Sequence, residues 1–332
     1  MVRIALDAMG GDNCPDCNIL GAVKALEKSP EICIILIGPE ELLREKTKEM
    51  AYDKERLLFE NAEEVISLDE SPVQAIQKKK DSSIVKGIGL VKNGDADAFV
   101  SAGSSGAVLA AGQLKLGRIK GVLRPPLGTL IPTGKGVSLF LDLGANVDAK
   151  AEWLVQFAEM GSIYMESVMK VSKPTVKLIN IGLEEEKGNA LTKEVNALLK
   201  EDSNINYLGY AEAREVPYGT ADVVIADAFT GNAMLKMYEG TAGFLLSTVK
   251  SVLKSNLKTK IGALLIKKEL KNTLKRFDAS EHGGAPLLGV KGAVIKCHGN
   301  STEKEICNAL LQAEEYIVSG VNEHIAKALE KG

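Results

Sequence analysis

The run Val2-Arg-Ile-Ala-Leu-Asp7 is followed at once by the glycine-containing turn Ala8-Met-Gly-Gly-Asp12. A short apolar run of this kind predicts a buried strand. Enzymes built on parallel sheets bind their ligands outside the carboxyl ends of such strands. The first twelve residues therefore predict a buried strand followed by a candidate ligand-binding turn.

The same pattern of apolar runs and helices continues along the chain. Amphipathic spacing predicts helices over 149–169 and 303–329, and short apolar runs predict further strands at 32–37, 97–101, 137–142, 175–180, 222–227 and 292–296. Strands that alternate with helices indicate a mostly parallel sheet with helices on both faces. Because no linker or repeat divides the chain, we expect residues 1–332 to form a single large α/β domain.

Composition excludes several classes of protein. The chain has 332 residues, of which 45% are hydrophobic and 26% charged, as in ordinary globular proteins. A net charge of −3 and an aromatic content of 5% argue against a nucleic-acid partner. No apolar run is long enough for a membrane-spanning helix and the N-terminus lacks a signal-peptide pattern, so we expect a cytoplasmic protein.

Four polar turns follow predicted strands and are candidate ligand-binding elements. Glycine allows close approach of the backbone to a ligand, Ser and Asn offer uncharged hydrogen bonds, and a following helix can hold an anion. Such turns also arise for geometry alone, but four of them favour a site built from several strand ends. They are Asp7–Asp12, Ser101–Gly106, Asp142–Asn146 and Asp227–Asn232.

Other motifs are weak or missing. The chain has no G-x-G-x-x-G after a strand, no P-loop and no G-x-S-x-G elbow. His298, beside Cys297, is an acid/base or anion-contact candidate, whereas His324 within a helix reads as structural. The C-x-x-C spacing of Cys14 and Cys17 lacks a second pair, so we interpret it as coincidental and expect no metal site.

A basic segment near the C-terminus stands apart from the rest of the sequence. It contains one acid, Glu269, the uncharged run 261–266, and nine basic residues: Lys250, Lys254, Lys258, Lys260, Lys267, Lys268, Lys271, Lys275 and Arg276. We predict a protruding helical hairpin over 249–277 with an apolar tip, and membrane contact through Leu264, Leu265 and Ile266. The alternative is a solvated hairpin that packs on the body or in a dimer.

Together these motifs resemble, in order and over nearly the whole chain, the bacterial phosphate acyltransferases (the PlsX family). The resemblance rests on Asp7–Asp12, Ser101-Ala-Gly103, Arg124-Pro125, Leu141–Asn146, Asn180-Ile-Gly182 through Lys187-Gly188, Ala221–Val224, Phe229–Asn232, Leu235-Lys236, Glu239-Gly240, Gly283–Ala285 and His298-Gly299. The chain departs from the family pattern at Ser104-Ser105, Tyr210, Ala228 and His282. Cys14 and Cys297 stand where the family often has Ala, which argues against thiol catalysis.

The resemblance implies a fold, a reaction and partners. The fold would be a three-layer α/β/α arrangement like that of the isocitrate and isopropylmalate dehydrogenases, in a homodimer. The reaction would make acyl phosphate from acyl-acyl-carrier-protein and inorganic phosphate for membrane phospholipid synthesis, without a cofactor. The partners would be acyl carrier protein, phosphate and, peripherally, an anionic membrane surface.

The reaction must hold a phosphate dianion and stabilise an oxyanion, so cations and hydrogen-bond donors are the expected site residues. We predict catalytic roles for Lys187 and Asn232, although Lys187 also fits a simple helix-start residue. The predicted phosphate- or substrate-binding residues are Asp7, Gly10, Gly11, Ser101, Gly103, Ser104, Ser105, Gly106, Arg124, Asn146, Asn180 and His298.

Three alternatives stay open at this point. A phosphotransacylase would use acyl-coenzyme A in place of the carrier protein. A metal- and nicotinamide-dependent decarboxylating dehydrogenase shares the implied fold. A protein without enzymatic activity would act as a membrane or carrier-protein adaptor through 250–276.

Overall fold

The strands of the protein form two sheets. A computed structural model describes residues 1–275 and 283–330, and its strands divide into a six-stranded and a five-stranded sheet. The predicted α/β class with mostly parallel strands is confirmed, while the prediction of a single domain stays a prediction. Arg276, Phe277 and His282 lie outside the described residues.

The first sheet combines strands from both ends of the chain. Its strands are β1 (Val2–Asp7), β2 (Ile32–Gly38), β3 (Leu57–Asn61), β4 (Ala98–Ser101), β10 (Ala285–Pro286) and β11 (Ala293–Lys296). They lie in the order β10-β11-β4-β1-β2-β3. All neighbouring strands are parallel except β10 and β11.

The second sheet is built from the middle of the chain. Its strands are β5 (Thr129–Thr133), β6 (Gly136–Leu141), β7 (Thr175–Ile179), β8 (Asn206–Ala211) and β9 (Val223–Ile225). They lie in the order β5-β6-β9-β7-β8. Only the pair β5 and β6 is antiparallel in this sheet.

Helices cover both faces of each sheet. They are α1 (Asp16–Lys28), α2 (Glu40–Thr47), α3 (Pro72–Lys78), α4 (Ser83–Asn93), α5 (Ser105–Ala111), α6 (Ala151–Ser167), α7 (Ala190–Glu201), α8 (Ala228–Lys254), α9 (Leu257–Lys275), α10 (Glu303–Val318) and α11 (Val321–Leu329). One apolar cluster joins β1 and β2 with α1, α6 and α10 and continues into β6, β7 and β9, so the two sheets share a core. A second cluster packs α3, α4 and α5 on the opposite face of the first sheet, and a third packs the start of α8 on the second.

All seven strands predicted from the sequence are present, and the four that were missed are edge strands. β3 and β10 border the first sheet, and β5 and β8 border the second. A central strand is buried on both faces and reads as a continuous apolar run, as in β2, whose seven residues are all buried. An edge strand need not do so: β8 alternates in exposure, β5 contains Pro132, and β10 has only two residues.

The predicted helix over 303–329 is wrong in one respect, because it is two helices. α10 ends at Val318 and α11 begins at Val321. Between them Gly320 has a φ of 64°, a left-handed conformation that glycine adopts without steric cost and that interrupts a right-handed helix. The apolar stripe continues across the break because both helices pack on the same core.

Helices α8 and α9 form the predicted helical hairpin. They are joined at Ser255 and Asn256, so the apolar run 261–266 lies within α9 and not at the tip, which corrects the sequence prediction. The side chains of Leu264, Leu265 and Ile266 are 71%, 78% and 49% exposed. Among the described helices, none is long and apolar enough to cross a membrane.

Two of the three glycines in α8, Gly240 and Gly243, lie in the middle of the helix. A Cβ atom built on either one would meet nothing within 4 Å, so packing does not require a glycine there. They separate the start of α8, which packs on the body, from the exposed half of the same helix.

Candidate active site

Three buried polar side chains lie together where β1, β4 and β11 end. Lys296 is the register partner of Ser101, and β1 pairs with the other edge of β4, which places Asp7 beside Ser101. The Ser101 hydroxyl donates a 2.6 Å hydrogen bond to the Asp7 carboxylate and accepts one of 3.0 Å from the Gly103 amide. The three side chains are 1%, 0% and 7% exposed for Asp7, Ser101 and Lys296 respectively.

The turns after β1 and β4 are in direct contact. A Cβ atom on Gly10 would lie 2.5 Å from the Gly103 nitrogen and 2.6 Å from the Asp7 carboxylate. Only glycine fits at such a backbone approach. Gly11 has a φ of 93°, and the neighbouring Asp12 amide donates a 2.6 Å hydrogen bond to the Gly299 carbonyl. The structure thus brings four predicted residues together in a packed cluster, the Asp7 floor: Asp7, Gly10, Ser101 and Gly103.

Burial is the main cause of the pKa shifts of the ionisable groups at these strand ends. It raises the pKa of Asp7, although hydrogen bonds from Ser101, Ser83 and the Met9 amide oppose the shift. It lowers the pKa of Lys296, whose ammonium donates to the Cys297 carbonyl. It also raises the pKa of the Cys297 thiol to about 12, so this cysteine is a protonated thiol near neutral pH.

The turn after β6 is held by Asp142, which is fully buried. Its carboxylate accepts hydrogen bonds from the Leu127 amide at 3.0 Å and from the Asn146 side chain at 2.7 Å. The Asn146 side chain also donates to the Pro125 carbonyl at 3.0 Å, so its amide group positions the turn. A Cβ atom on Gly231 would lie 2.0 Å from the Asp142 carbonyl oxygen, which shows how closely α8 begins against this turn.

A cavity of about 340 Å³ lies between the two sheets at these strand ends. Apolar side chains from β5, from the loops beside it and after β6, and from α5 and α8 form much of its wall: Leu109, Leu127, Leu130, Ile131, Pro132, Leu143 and Leu235. Polar groups form the remainder: Ser105, Thr129, Asn232, Lys236, Tyr238, Glu239, Lys296, His298, Ser301 and Glu305. Its size is within the usual range of small-molecule sites.

Three ionisable side chains of the polar wall lie close together: Lys236, Glu239 and His298. Lys236 donates to one Glu239 oxygen at 2.8 Å, and His298 Nε2 lies 3.5 Å from the other. Asn232, one turn before Lys236 on the same helix, makes no side-chain hydrogen bond to any residue that the structure describes. Its amide is therefore free to bind a ligand in the cavity.

Three further predicted residues, Ser104, Gly106 and Arg124, are not part of the cavity wall. Ser104 caps α5 by accepting from the Ala107 amide, and Gly106 packs against Pro72. Arg124 lies with its guanidinium 5.0 Å from the Trp153 ring centroid, where it is not part of the cavity wall.

Lys187 is exposed on the loop after β7 and is also absent from the cavity wall. The Asn180 side chain donates to the Gly182 and Lys187 carbonyls at 3.1 and 3.2 Å. Asn180 thus fixes the shape of the loop that carries Lys187.

Sequence reasoning missed Lys296 as a site residue. A lysine at the end of an apolar run reads as the exposed end of a strand, and nothing in its immediate sequence predicts its burial. The available signal was positional, because Lys296 ends a strand directly before Cys297-His298-Gly299, where the predicted site begins.

The fold and the cavity define an α/β protein with a candidate ligand cavity at strand ends between two sheets. The family model described as "Fatty acid synthesis protein" matches residues 2–324, and the chain belongs to this family. Phosphate acyltransferase from Clostridium perfringens is 48% identical over 330 residues, covering 98% of this chain and 97% of its own. Phosphate acyltransferase from Clostridium beijerinckii is 49% identical, with 96% of each chain covered.

Solved structures agree on the fold. A phosphotransacetylase from Streptococcus pyogenes superposes with a TM-score of 0.58 over 96% of this chain and 94% of its own. Its sequence identity is 15%, so this likeness concerns the fold alone.

Proposed function

We propose that this protein transfers a fatty acyl group from the thioester of acyl carrier protein to inorganic phosphate, as part of membrane phospholipid synthesis. The cavity carries the proposal, because it has an apolar wall beside a polar one. An acyl chain needs the first, and the thioester carbonyl and phosphate need the second. Membership in the phosphate acyltransferase family supports the same reaction.

The chemistry asks little of a general base. A phosphate oxygen of HPO₄²⁻ attacks the carbonyl carbon, the C–O bond forms, and the carbonyl electrons move to oxygen. The tetrahedral intermediate then collapses, the C–S bond breaks, and the sulfur leaves with its electron pair and takes the proton that phosphate brought. The products are acyl phosphate and the free thiol, with the charge unchanged.

Asn232 is the residue we assign to the carbonyl or phosphate oxygen. Its amide lies at the polar wall without another hydrogen bond to a described residue, on a helix start fixed against Asp142. A positioned amide donor stabilises an oxyanion more than water does, because it needs no reorganisation. Lys187 is the second residue of this proposal, as a cation on the loop after β7, although it is not part of the cavity wall.

The decisive assay is phosphate-dependent consumption of acyl-acyl-carrier-protein, with acyl phosphate trapped by hydroxylamine. We expect product only when phosphate is present, and more with the carrier-protein thioester than with acyl-coenzyme A of the same chain length. Preference for acyl-coenzyme A would indicate a phosphotransacylase. Reduction of a nicotinamide cofactor with a hydroxy acid would indicate a dehydrogenase, and binding without turnover an adaptor.

We further propose that the α8–α9 hairpin serves two partners, an anionic membrane surface and a second copy of the chain. Exposed apolar patches of this extent are unusual in a free monomer. Beyond the first turn of α8, its exposed apolar residues are Met237, Phe244, Leu245, Leu246, Val249 and Val252, and on α9 they are Leu257, Ile261, Leu264, Leu265 and Ile266. Lysines flank the α9 run on both sides, which favours anionic lipid for that part.

Sedimentation equilibrium tests the homodimer, and vesicles of phosphatidylglycerol test membrane binding at low and high salt. We expect a dimer in solution and salt-sensitive, reversible attachment to the vesicles. A monomer would remove the second copy from the proposal, and attachment only to neutral vesicles would remove the role of the lysines.

A further inference from the structure

We propose that Lys296 binds the substrate phosphate at the polar wall of the cavity, with the Asp7 floor as its positioning group. This inference rests on the proposed function and adds a residue to it. Three observations carry it: the burial of Lys296, its incomplete set of partners, and its place on the cavity wall.

The burial of Lys296 is exceptional in this chain. It is 7% exposed, and it is the only buried lysine or arginine among the residues whose burial the structure describes. Lysine is almost never fully buried unless its charge is compensated, because an isolated ammonium is costly to remove from water. Its burial therefore requires an opposite charge close by.

The described partners compensate this charge only in part. The ammonium has three N–H donors, and one of them donates to the Cys297 carbonyl. No described carboxylate lies within 4.0 Å of it. Asp7 acts on it from further away, but the Asp7 oxygens already accept hydrogen bonds from Ser101 and the Met9 amide.

Lys296 forms part of the wall of the ligand space. It lines the same cavity as Asn232 and His298, whereas the sequence-predicted cations Arg124 and Lys187 do not. A phosphate dianion in this cavity would supply the missing charge and accept the remaining N–H groups. The lysine would then neutralise the nucleophile and bring it to the carbonyl held by Asn232.

Proton linkage gives this proposal a signature that a structural lysine would lack. Burial lowers the pKa of Lys296, and a bound dianion raises it again, so phosphate binding takes up a proton where the free lysine is neutral. The Michaelis constant for the phosphate dianion should therefore rise as pH increases through the pKa of the free lysine. The other charged or titratable groups that line the cavity or act on Lys296 are Asp7, Cys297, His298, Lys236, Tyr238, Glu239 and Glu305.

The test uses Lys296→Met, which keeps the length of the side chain and removes its charge. We expect the Michaelis constant for phosphate to rise roughly 100-fold and its alkaline pH dependence to disappear. The matched control is Lys291→Met, an exposed lysine before the same strand, which should leave both unchanged. Circular dichroism and thermal unfolding establish that each variant is folded.

Two outcomes separate this proposal from the proposed function. If the wild-type protein makes acyl phosphate and folded Lys296→Met has the same Michaelis constant and pH profile, the role of Lys296 is overturned and the function stands. If the wild-type protein makes no acyl phosphate, the function fails, and titration with inorganic phosphate followed by ³¹P NMR still tests the lysine. Equal phosphate affinity of both proteins in that titration would overturn the proposal as well. Should Lys296→Met not fold, Lys296→Arg keeps the charge, and it should abolish the alkaline pH dependence while retaining phosphate binding.

Discussion

The two-sheet body buries its apolar side chains, whereas the α8–α9 hairpin exposes them. The central strands of the body bury nearly every residue, and one apolar cluster connects its two sheets. In the hairpin the last buried residue of α8 is Leu235, and no described side chain of α8 or α9 beyond it is buried. The body therefore buries its apolar side chains within itself, whereas the hairpin leaves its own exposed.

The candidate active site and the exposed apolar surface of the hairpin therefore lie in different parts of the molecule. The cavity and the groups that line it belong to the body and to the first turns of α8, while most of the exposed apolar residues of the hairpin lie beyond those turns. Variants can therefore remove one property and leave the other.

The largest effect is expected from the site of the body. Asn232→Ala and Lys187→Ala should each lower turnover roughly 100-fold, as is typical for the loss of one oxyanion-stabilising donor. Attachment to phosphatidylglycerol vesicles should be unchanged. Steady-state assays with both substrates saturating measure the effect, with Asn204→Ala and Lys54→Ala as controls at exposed positions on the loops before β8 and β3. Near-normal turnover of either site variant would remove that residue from the mechanism.

The hairpin should give the reverse result. Leu264→Glu combined with Leu265→Glu should weaken vesicle attachment roughly 10-fold, because it removes apolar insertion and opposes the lysines. Activity on soluble substrates should persist. Co-sedimentation measures attachment, and a charge-matched control replaces Leu68 and Val318, which are 78% and 68% exposed on the body. Unchanged attachment would assign the α9 run to dimer contact or carrier-protein docking.

A smaller effect concerns stability of the body far from the site. Burial and the nearby Asp202 charge raise the pKa of Glu159 from 4.5 to about 7. A carboxyl whose pKa is raised by folding lowers stability as pH rises from its unfolded value through its folded one. Glu159→Gln should therefore stabilise the protein by about 1 kcal/mol near pH 8, a figure discounted for partial exposure, and change little below pH 4.5.

Chemical unfolding at the two pH values measures this difference. The matched control is Glu166→Gln, on the exposed side of the same helix α6, which should show no such pH dependence. Equal stabilisation of Glu159→Gln at both pH values would show that packing, not charge, is responsible.

The smallest effect is expected from the cysteines. Burial raises the pKa of Cys14, Cys17 and Cys297, so none of them is favoured as a thiolate nucleophile. A variant with all three replaced by Ala or Ser should keep most of its activity, and elemental analysis of the native protein should find no zinc. Stoichiometric zinc or a complete loss of turnover in the folded variant would contradict this expectation.

The sequence predicts central strands better than edge strands. It also predicts glycine-containing turns better than the burial of individual side chains. Doubly buried strands such as β2 carry a strong apolar signal, while edge strands such as β8 share their pattern with loops. The turns Asp7–Asp12 and Ser101–Gly106 are recognisable from the sequence alone, because their glycines follow apolar runs directly. The burial of Lys296 could not be predicted, because it depends on three strands that meet only in the folded sheet.

Gly240 and Gly243 determine where α8 bends most easily if the hairpin rests on a moving bilayer, as proposed. Each glycine weakens a helix by about 1 kcal/mol relative to alanine, and Gly240 and Gly243 have open space around them. The helix is thus easiest to flex between Glu239, which belongs to the cavity wall, and Phe244, which is 68% exposed. Undulations of the lipid surface would be absorbed at this joint, and the alignment of Asn232 with the reacting atoms would be insulated from them.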